Sequence, residues 1–233
     1  SPGYLALFEN TTGTSNTAVG AHALDAITTA GANIAIGYNA LSSETQGQRN
    51  VAIGNSALES QNNTSSTESY NIAIGYHAGN DITTGIQNTI VGGLAGDALT
   101  TGDNNVVLGY QALTNEQTGG RNVAIGTYAL QDLNNGSNAY NVAVGHAAGS
   151  QMTSGVRNTL VGSLSGDALT TGNQNIAIGY NALSTEDAGS YNVAIGGHAL
   201  EAQDAGDAYN IAIGYYAGKS ITTGLNNTLI GGL

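Results

Sequence analysis

Asn33-Ile34-Ala35-Ile36-Gly37-Tyr38-Asn39-Ala40-Leu41 is one copy of a motif that recurs along the whole chain. An Asn opens each copy: Asn16, Asn33, Asn50, Asn71, Asn88, Asn105, Asn122, Asn141, Asn158, Asn175, Asn192, Asn210 and Asn227. The spacings are 17, 17, 21, 17, 17, 17, 19, 17, 17, 17, 18 and 17 residues. A Gly stands four residues after every one of these Asn, from Gly20 to Gly231, and three residues further on comes Ala, or Ser165 in one copy. A fixed period this short is the signature of a solenoid in which each repeat is one coil.

The run after each Asn is too short for a helix, is rich in Val and Ile, and is stopped by Gly. It reads as a strand of about four to five residues. The recurring Gly marks a corner that needs positive φ or a close backbone approach. Stacked coils pair strand on strand at about 4.8 Å, so about 13 coils make a rod on the order of 60 Å long. The Asn column is expected to form an amide ladder parallel to the backbone bonds.

Composition suits a narrow interior. Trp is absent and there is one Phe and one Met, so the core must be built from Ala, Val, Ile and Leu. With 35 Gly but a single Pro, the chain is not collagen-like. A formal charge of −12 argues against nucleic acid and anionic membrane as partners. The four basic residues, Arg49, Arg121, Arg157 and Lys219, form no cluster in sequence. No run is apolar enough for direct membrane insertion, and without cysteine there is no disulfide or thiolate metal site.

The copies follow a pattern of four. The first kind (33–49) has Tyr after the Gly; the second (50–70) has the longest tail. The third (71–87) carries Ala78-Gly79, and the fourth (88–104) opens Asn-Thr-Ile-Val-Gly. Residues 1–233 therefore read as a single repeat solenoid with four-coil modules at about 33–104, 105–174 and 175–233. Gly3-Tyr4-Leu5-Ala6-Leu7 and Gly231-Gly232-Leu233 read as coils cut at either end, with Ser1-Pro2 outside the repeat. All length variation lies in second-kind tails, so 60–69, 131–139 and 202–208 should protrude as loops on one edge.

Within each strand the first and third residues share a face. Ile34 and Ile36, or Val51 and Ile53, are expected to fill the coil interior. The middle residues are then expected to point outward: Ala35, Ala52, Ala73, Ile90, Val107, Ala124, Ala143, Leu160, Ala177, Ala194, Ala212 and Leu229. None is polar, so the strand should be buried on both faces. One coil has little spare chain to cover the second face, and these residues are therefore the candidate oligomer interface.

These residues carry a resemblance. Asn-Val-Ala-Ile-Gly is similar to the head repeat of YadA-type trimeric adhesins, and Asn175-Ile-Ala-Ile-Gly-Tyr-Asn-Ala-Leu183 resembles repeats of phage and bacterial tail-fibre proteins. It covers essentially the whole chain, although the coils here are longer than those of the adhesin head. The resemblance implies a left-handed parallel β-roll, a homotrimer, an attachment role, and a place on a virion tail fibre or at a bacterial cell surface. It carries over no catalytic residue.

Tyr38, Tyr76, Tyr110, Tyr180 and Tyr215 occupy one position after the Gly, with His146 replacing one. They should form a stripe, one ring every second coil, about 10 Å apart. Aromatic faces beside amides suit sugar rings, and this stripe is the candidate site for a cell-surface glycan or other host receptor. The same Tyr residues would also serve as amphipathic packing over the corner. Glu44, Glu116 and Glu186 in first-kind tails, with the acids of second-kind tails, are oxygen ligands suited to Ca²⁺. A solubilising acidic edge explains them more simply. Asp25, Asp97 and Asp167 hold register, as turn-stabilising Asx residues would.

No close pair of carboxylates in an apolar setting is apparent, and the four His are scattered among coils, so neither a glycosidase, a triad nor a zinc site is indicated. No cofactor or metal is implied. Thr-Thr pairs such as Thr83-Thr84 raise ice binding, which ranks below the other readings because adjacent Thr point to opposite faces. The expectation is a non-enzymatic attachment segment. A stand-alone glycan-binding module is the alternative.

Overall fold

The computed structural model describes residues 3–233; Ser1-Pro2, read as outside the repeat, lies beyond them. Thirteen parallel strands form one sheet in strict sequence order, from β1 (Thr17–Val19) through β2 (Ile34–Ile36) and β3 (Val51–Ile53) to β13 (Thr228–Ile230). Every strand is three residues long, shorter than the four to five expected, because the coil turns at the Gly immediately beyond. The 21-residue coil keeps register like the others: Ala52 stands opposite Ala73. The extra residues leave the sheet untouched and are taken up elsewhere.

The Asn column is continuous. Each Asn side-chain oxygen accepts the backbone N–H of the Asn one coil on, from Asn33 N to Asn16 Oδ1 (3.0 Å) through to Asn227 N on Asn210 Oδ1 (2.8 Å). In 17-residue coils the same amide also donates across the coil, as Asn71 Nδ2 does to Gly85 O at 2.7 Å. One side chain thus satisfies a buried N–H and a buried C=O, groups that would otherwise cost about 1–3 kcal/mol each. At the corner, Gly37 has φ of 143°, and a Cβ there would lie 2.1 Å from the Gly54 carbonyl oxygen. Only glycine lets successive coils stack this closely.

The expected assignment of strand faces is inverted. The middle residue of β2, Ala35, is sealed in the coil interior, as are Ala52, Ala73, Ile90, Val107, Ala124, Ala143, Leu160, Ala177, Ala194 and Ala212. Ala18 and Leu229, in the terminal strands, pack partly buried against the same core. These residues are therefore not available to another chain. Ile34 and Ile36, expected inside, point outward and are 37% and 38% exposed.

The reason is volume. In first- and second-kind coils the interior is filled from the opposite wall by Leu41, Leu58, Leu113, Leu130, Leu183 and Leu200, eight residues after the Asn. Facing them the strand carries Ala, or Val107 opposite Leu113, and never the larger Ile or Leu. Where the strand carries Ile90 or Leu160, the residue eight after the Asn is Gly96 or Gly166. A Cβ on Gly96 would lie 3.3 Å from Ile90 Cδ1, and one on Gly166 would lie 2.9 Å from Leu160 Cδ2. The branched residue also reaches the third-kind coil before it: Leu160 Cδ1 would lie 2.7 Å from a Cβ on Gly149. The four-coil module is thus a trade of core volume between two walls, as close packing demands.

Candidate functional site

The longer second-kind tails pack over the buried first-kind glutamates. Their tips around 64–66 are exposed, while Gln61, Asn63 and Ser69 at the base are buried. Glu44 is fully buried and accepts the Gly47 N–H at 2.6 Å, the Asn63 N–H at 3.1 Å and Gln61 Nε2 at 2.9 Å. Glu186 accepts from Gly189 N and Gln203 Nε2, and Glu116 from Gly119 N. These three side chains are neither a solubilising edge nor free oxygen ligands; their oxygens are used by turn amides. Among the described residues no group of three His, Cys, Asp or Glu could hold a metal ion. No described helix is long and apolar enough to cross a membrane.

Rings and carboxylates on the outer surface form two alternating columns. The position five after the Asn carries Tyr38, Tyr76, Tyr110, His146, Tyr180 and Tyr215 on every second coil. All six are exposed, the Tyr rings by about half, as in Tyr38 at 53%. The coils between carry Asn55, Gly93, Thr127, Ser163 and Gly197. The alternation has a steric cause. A Cβ on Gly197 would meet Cδ2 and Cε2 of Tyr215 at 3.3 Å, so each ring uses space over its neighbour coil.

A second set of rings, one residue further on, fills the gaps. Tyr4, His22 and Tyr38 form an edge-to-face run with centroids 5.7 and 6.2 Å apart. Tyr110, Tyr128 and His146 repeat it at 5.9 and 6.1 Å, and Tyr180, His198 and Tyr215 at 5.3 and 6.2 Å. That the two sets interleave required the stacking geometry.

The position nine after the Asn carries Asp25, Glu59, Asp97, Asp167 and Glu201, all on the coils that lack the ring. Asp25 pairs with His22 Nδ1 at 2.9 Å, and Glu201 with His198 Nδ1 at 3.0 Å and Lys219 Nζ at 3.2 Å. Glu59 accepts from Asn39 and Asn80, and Asp97 from the Thr114 hydroxyl. In Asp25 and Asp97, inter-coil or histidine bonds thus take the place of the expected Asx turn. Burial pushes the Glu201 carboxyl up, but the ammonium of Lys219 and the imidazole of His198 outweigh it and hold the group below the ordinary glutamate range. Asp167 is the odd member: burial pushes its carboxyl up, and its Oδ1 has no partner. Near the N-terminal end this surface holds a depression of about 550 Å³ lined by residues including Phe8, His22, Asp25, Tyr38, Asn39 and Ser42.

The other border of the strand is marked by the residue before each Asn. Three of the four cations, unclustered in sequence, share this column: Arg49, Arg121 and Arg157. Arg49 lies over the Tyr70 ring at 5.6 Å, and Arg121 over Tyr140 at 5.5 Å. Tyr191 and Tyr209 stack face to face at 4.9 Å. Between the two borders lies the outward stripe of Ile and Val. The first Thr of the pairs is committed to the backbone: Thr83 Oγ1 donates to Thr100 O at 3.2 Å, and Thr100 Oγ1 to Gln117 O at 2.9 Å.

Chemically, the outer surface offers apolar contact, aromatic faces and hydrogen bonds. His22 and His198 each pair with one carboxylate, and the buried glutamates are held by amides. The chain is a repetitive parallel β-solenoid. No family model, curated protein or solved structure is found to match it.

Proposed function

We propose that this chain is a stiff attachment segment of a phage tail fibre or a bacterial surface adhesin, on a virion or at a cell surface. Three parallel copies with left-handed coils associate through the outward Ile/Val stripe. The observation that carries this reading is the stripe itself. It runs along all 13 strands, with Thr17, Thr89, Thr159 and Thr228 at the first outward position of four of them. At a strand spacing of about 4.8 Å and a width of about 10 Å it covers roughly 600 Å². That lies at the top of the range of about 300–600 Å² for apolar patches left open on monomers. It approaches the roughly 800 Å² per partner of a stable interface. The nine strands without Thr are apolar on both faces and still demand a cover on the second, which is the Ile/Val one. The number three rests on the resemblance to adhesin heads. Three rods side by side would also multiply weak surface contacts into avidity.

Light scattering behind a sizing column tests this reading. A mass near three chains is expected, and a monomer at micromolar concentration would sink it.

A second reading, a glycan-binding module in its own right, is favoured by the half-exposed rings of Tyr38, Tyr76, Tyr110, Tyr180 and Tyr215. Binding of a glycan by this chain alone, without flanking segments, would distinguish it from a pure spacer.

A further inference from the structure

We infer that the ring column binds an extended β-1,4-linked chain of neutral or N-acetylated sugars lengthwise, with one disaccharide unit per pair of coils. This deepens, and rests on, the glycan-binding reading. The coil rise of about 4.8 Å is close to the length of one sugar unit in an extended chain. In a β-1,4 chain each sugar is turned over relative to the last, so every second sugar presents the same face. The protein repeats its chemistry with the same two-step period.

The match is carried by several features that share that period. Rings stand on even coils, at Tyr38, Tyr76, Tyr110, His146, Tyr180 and Tyr215. Carboxylates stand on the odd coils at the neighbouring column, as at Asp25, Glu59 and Glu201. Both columns line one depression where Tyr38, His22 and Asp25 meet. Aromatic faces take the apolar C–H face of a pyranose, and carboxylates accept from its hydroxyls or from an N-acetyl N–H. Uronic acids and sulfated sugars are disfavoured by those carboxylates and by the net charge of −12.

The longer second-kind tails do not interrupt the column. Their extra residues fall beyond both positions, and β3 and β4 (Ile72–Ile74) stay in register across the longest of them. A polymer could therefore run the length of the rod without meeting a change of spacing. A branched or compact glycan could use only one ring at a time.

Calorimetric titration with chito- and cello-oligosaccharides tests this. A series of roughly two to eight units reaches about four rings at the ~10 Å spacing. Affinity should rise about three- to tenfold with each added disaccharide, the worth of one further ring contact. Tyr110→Ala and Tyr180→Ala, at half-exposed sites, should each remove one such increment from the longest oligomers and leave the disaccharide nearly unchanged. Tyr140→Ala, on the other border of the strand, should leave every member unchanged. Affinity that is flat with chain length, or equal for a branched glycan array, overturns the lengthwise mode and leaves the glycan reading standing. A blank result with both oligomer series and the array overturns both.

Discussion

Ala35 and Ile34 are neighbours in one three-residue strand, yet the smaller side chain is sealed in the core and the larger is 37% exposed. The inner face must match a cavity whose width is set by one coil. It is already occupied from the far wall by Leu41 and Leu58. The outer face has no such limit and can carry Ile at every level. The two faces therefore differ in what they tolerate. The inner is limited by volume, the outer by what covers it. Size and apolarity do not by themselves say which side of a strand is inside.

The largest effect is expected where the inner face is thickest. Leu160→Ala would open a cavity under Gly149 and Gly166 and should cost about 3–5 kcal/mol in urea unfolding. The compensating change tells more: Ala177→Leu, facing a coil already filled by Leu183, should cost about 1–3 kcal/mol by overpacking. If it were neutral, the volume trade between the walls would be wrong.

Next comes the pin between coils. Glu186→Gln replaces an acceptor-only side chain with one that donates. It should cost about 1–3 kcal/mol, because the buried amides of Gly189 and Gln203 lose a charged acceptor. The same change at Glu116 should cost less. There the position of Gln203 is taken by Leu133, and the second oxygen meets only the Asn135 N–H at 3.3 Å. Equal losses at the two sites would show that the turn amides alone carry the effect.

On the outer face Ile178→Thr should change the folding free energy of one chain by less than about 0.5 kcal/mol. Its effect should appear as a shift of the light-scattering mass toward the monomer. A loss of stability with no change of mass would reverse the roles given to the two faces.

The smallest effect concerns the column of carboxylates. Asp167, raised by burial, favours the protonated form in the folded chain. Its contribution is therefore present below the unfolded aspartate value and is lost as pH rises through the folded one. At neutral pH Asp167→Asn should stabilise, by no more than about 0.5 kcal/mol since the group is half open to screening solvent. Glu201, held low by Lys219 and His198, has the opposite sign. Its contribution is present above the ordinary glutamate value and is lost as pH falls through the folded one. Glu201→Gln should thus destabilise at neutral pH and do little in acid. Thermal melts at two pH values separate the signs.

The spacing of Asn and Gly was enough to establish a parallel solenoid of about 13 coils, the Asn ladder and the exposed Tyr column. Each depends on period alone, and period survives translation from chain to coil. The longer tails expected to protrude are instead buried in part, as at Gln61, Leu133 and Gln203. Which strand face lies inside, why the module has four coils, and that Glu44, Glu116 and Glu186 are buried pins were decided only in the tertiary structure. Those depend on the distance between opposite walls of a coil. Ile-Ala-Ile states which residues share a side, but only Leu41, facing Ala35 from the far wall, decides that the side with less volume is the inner one.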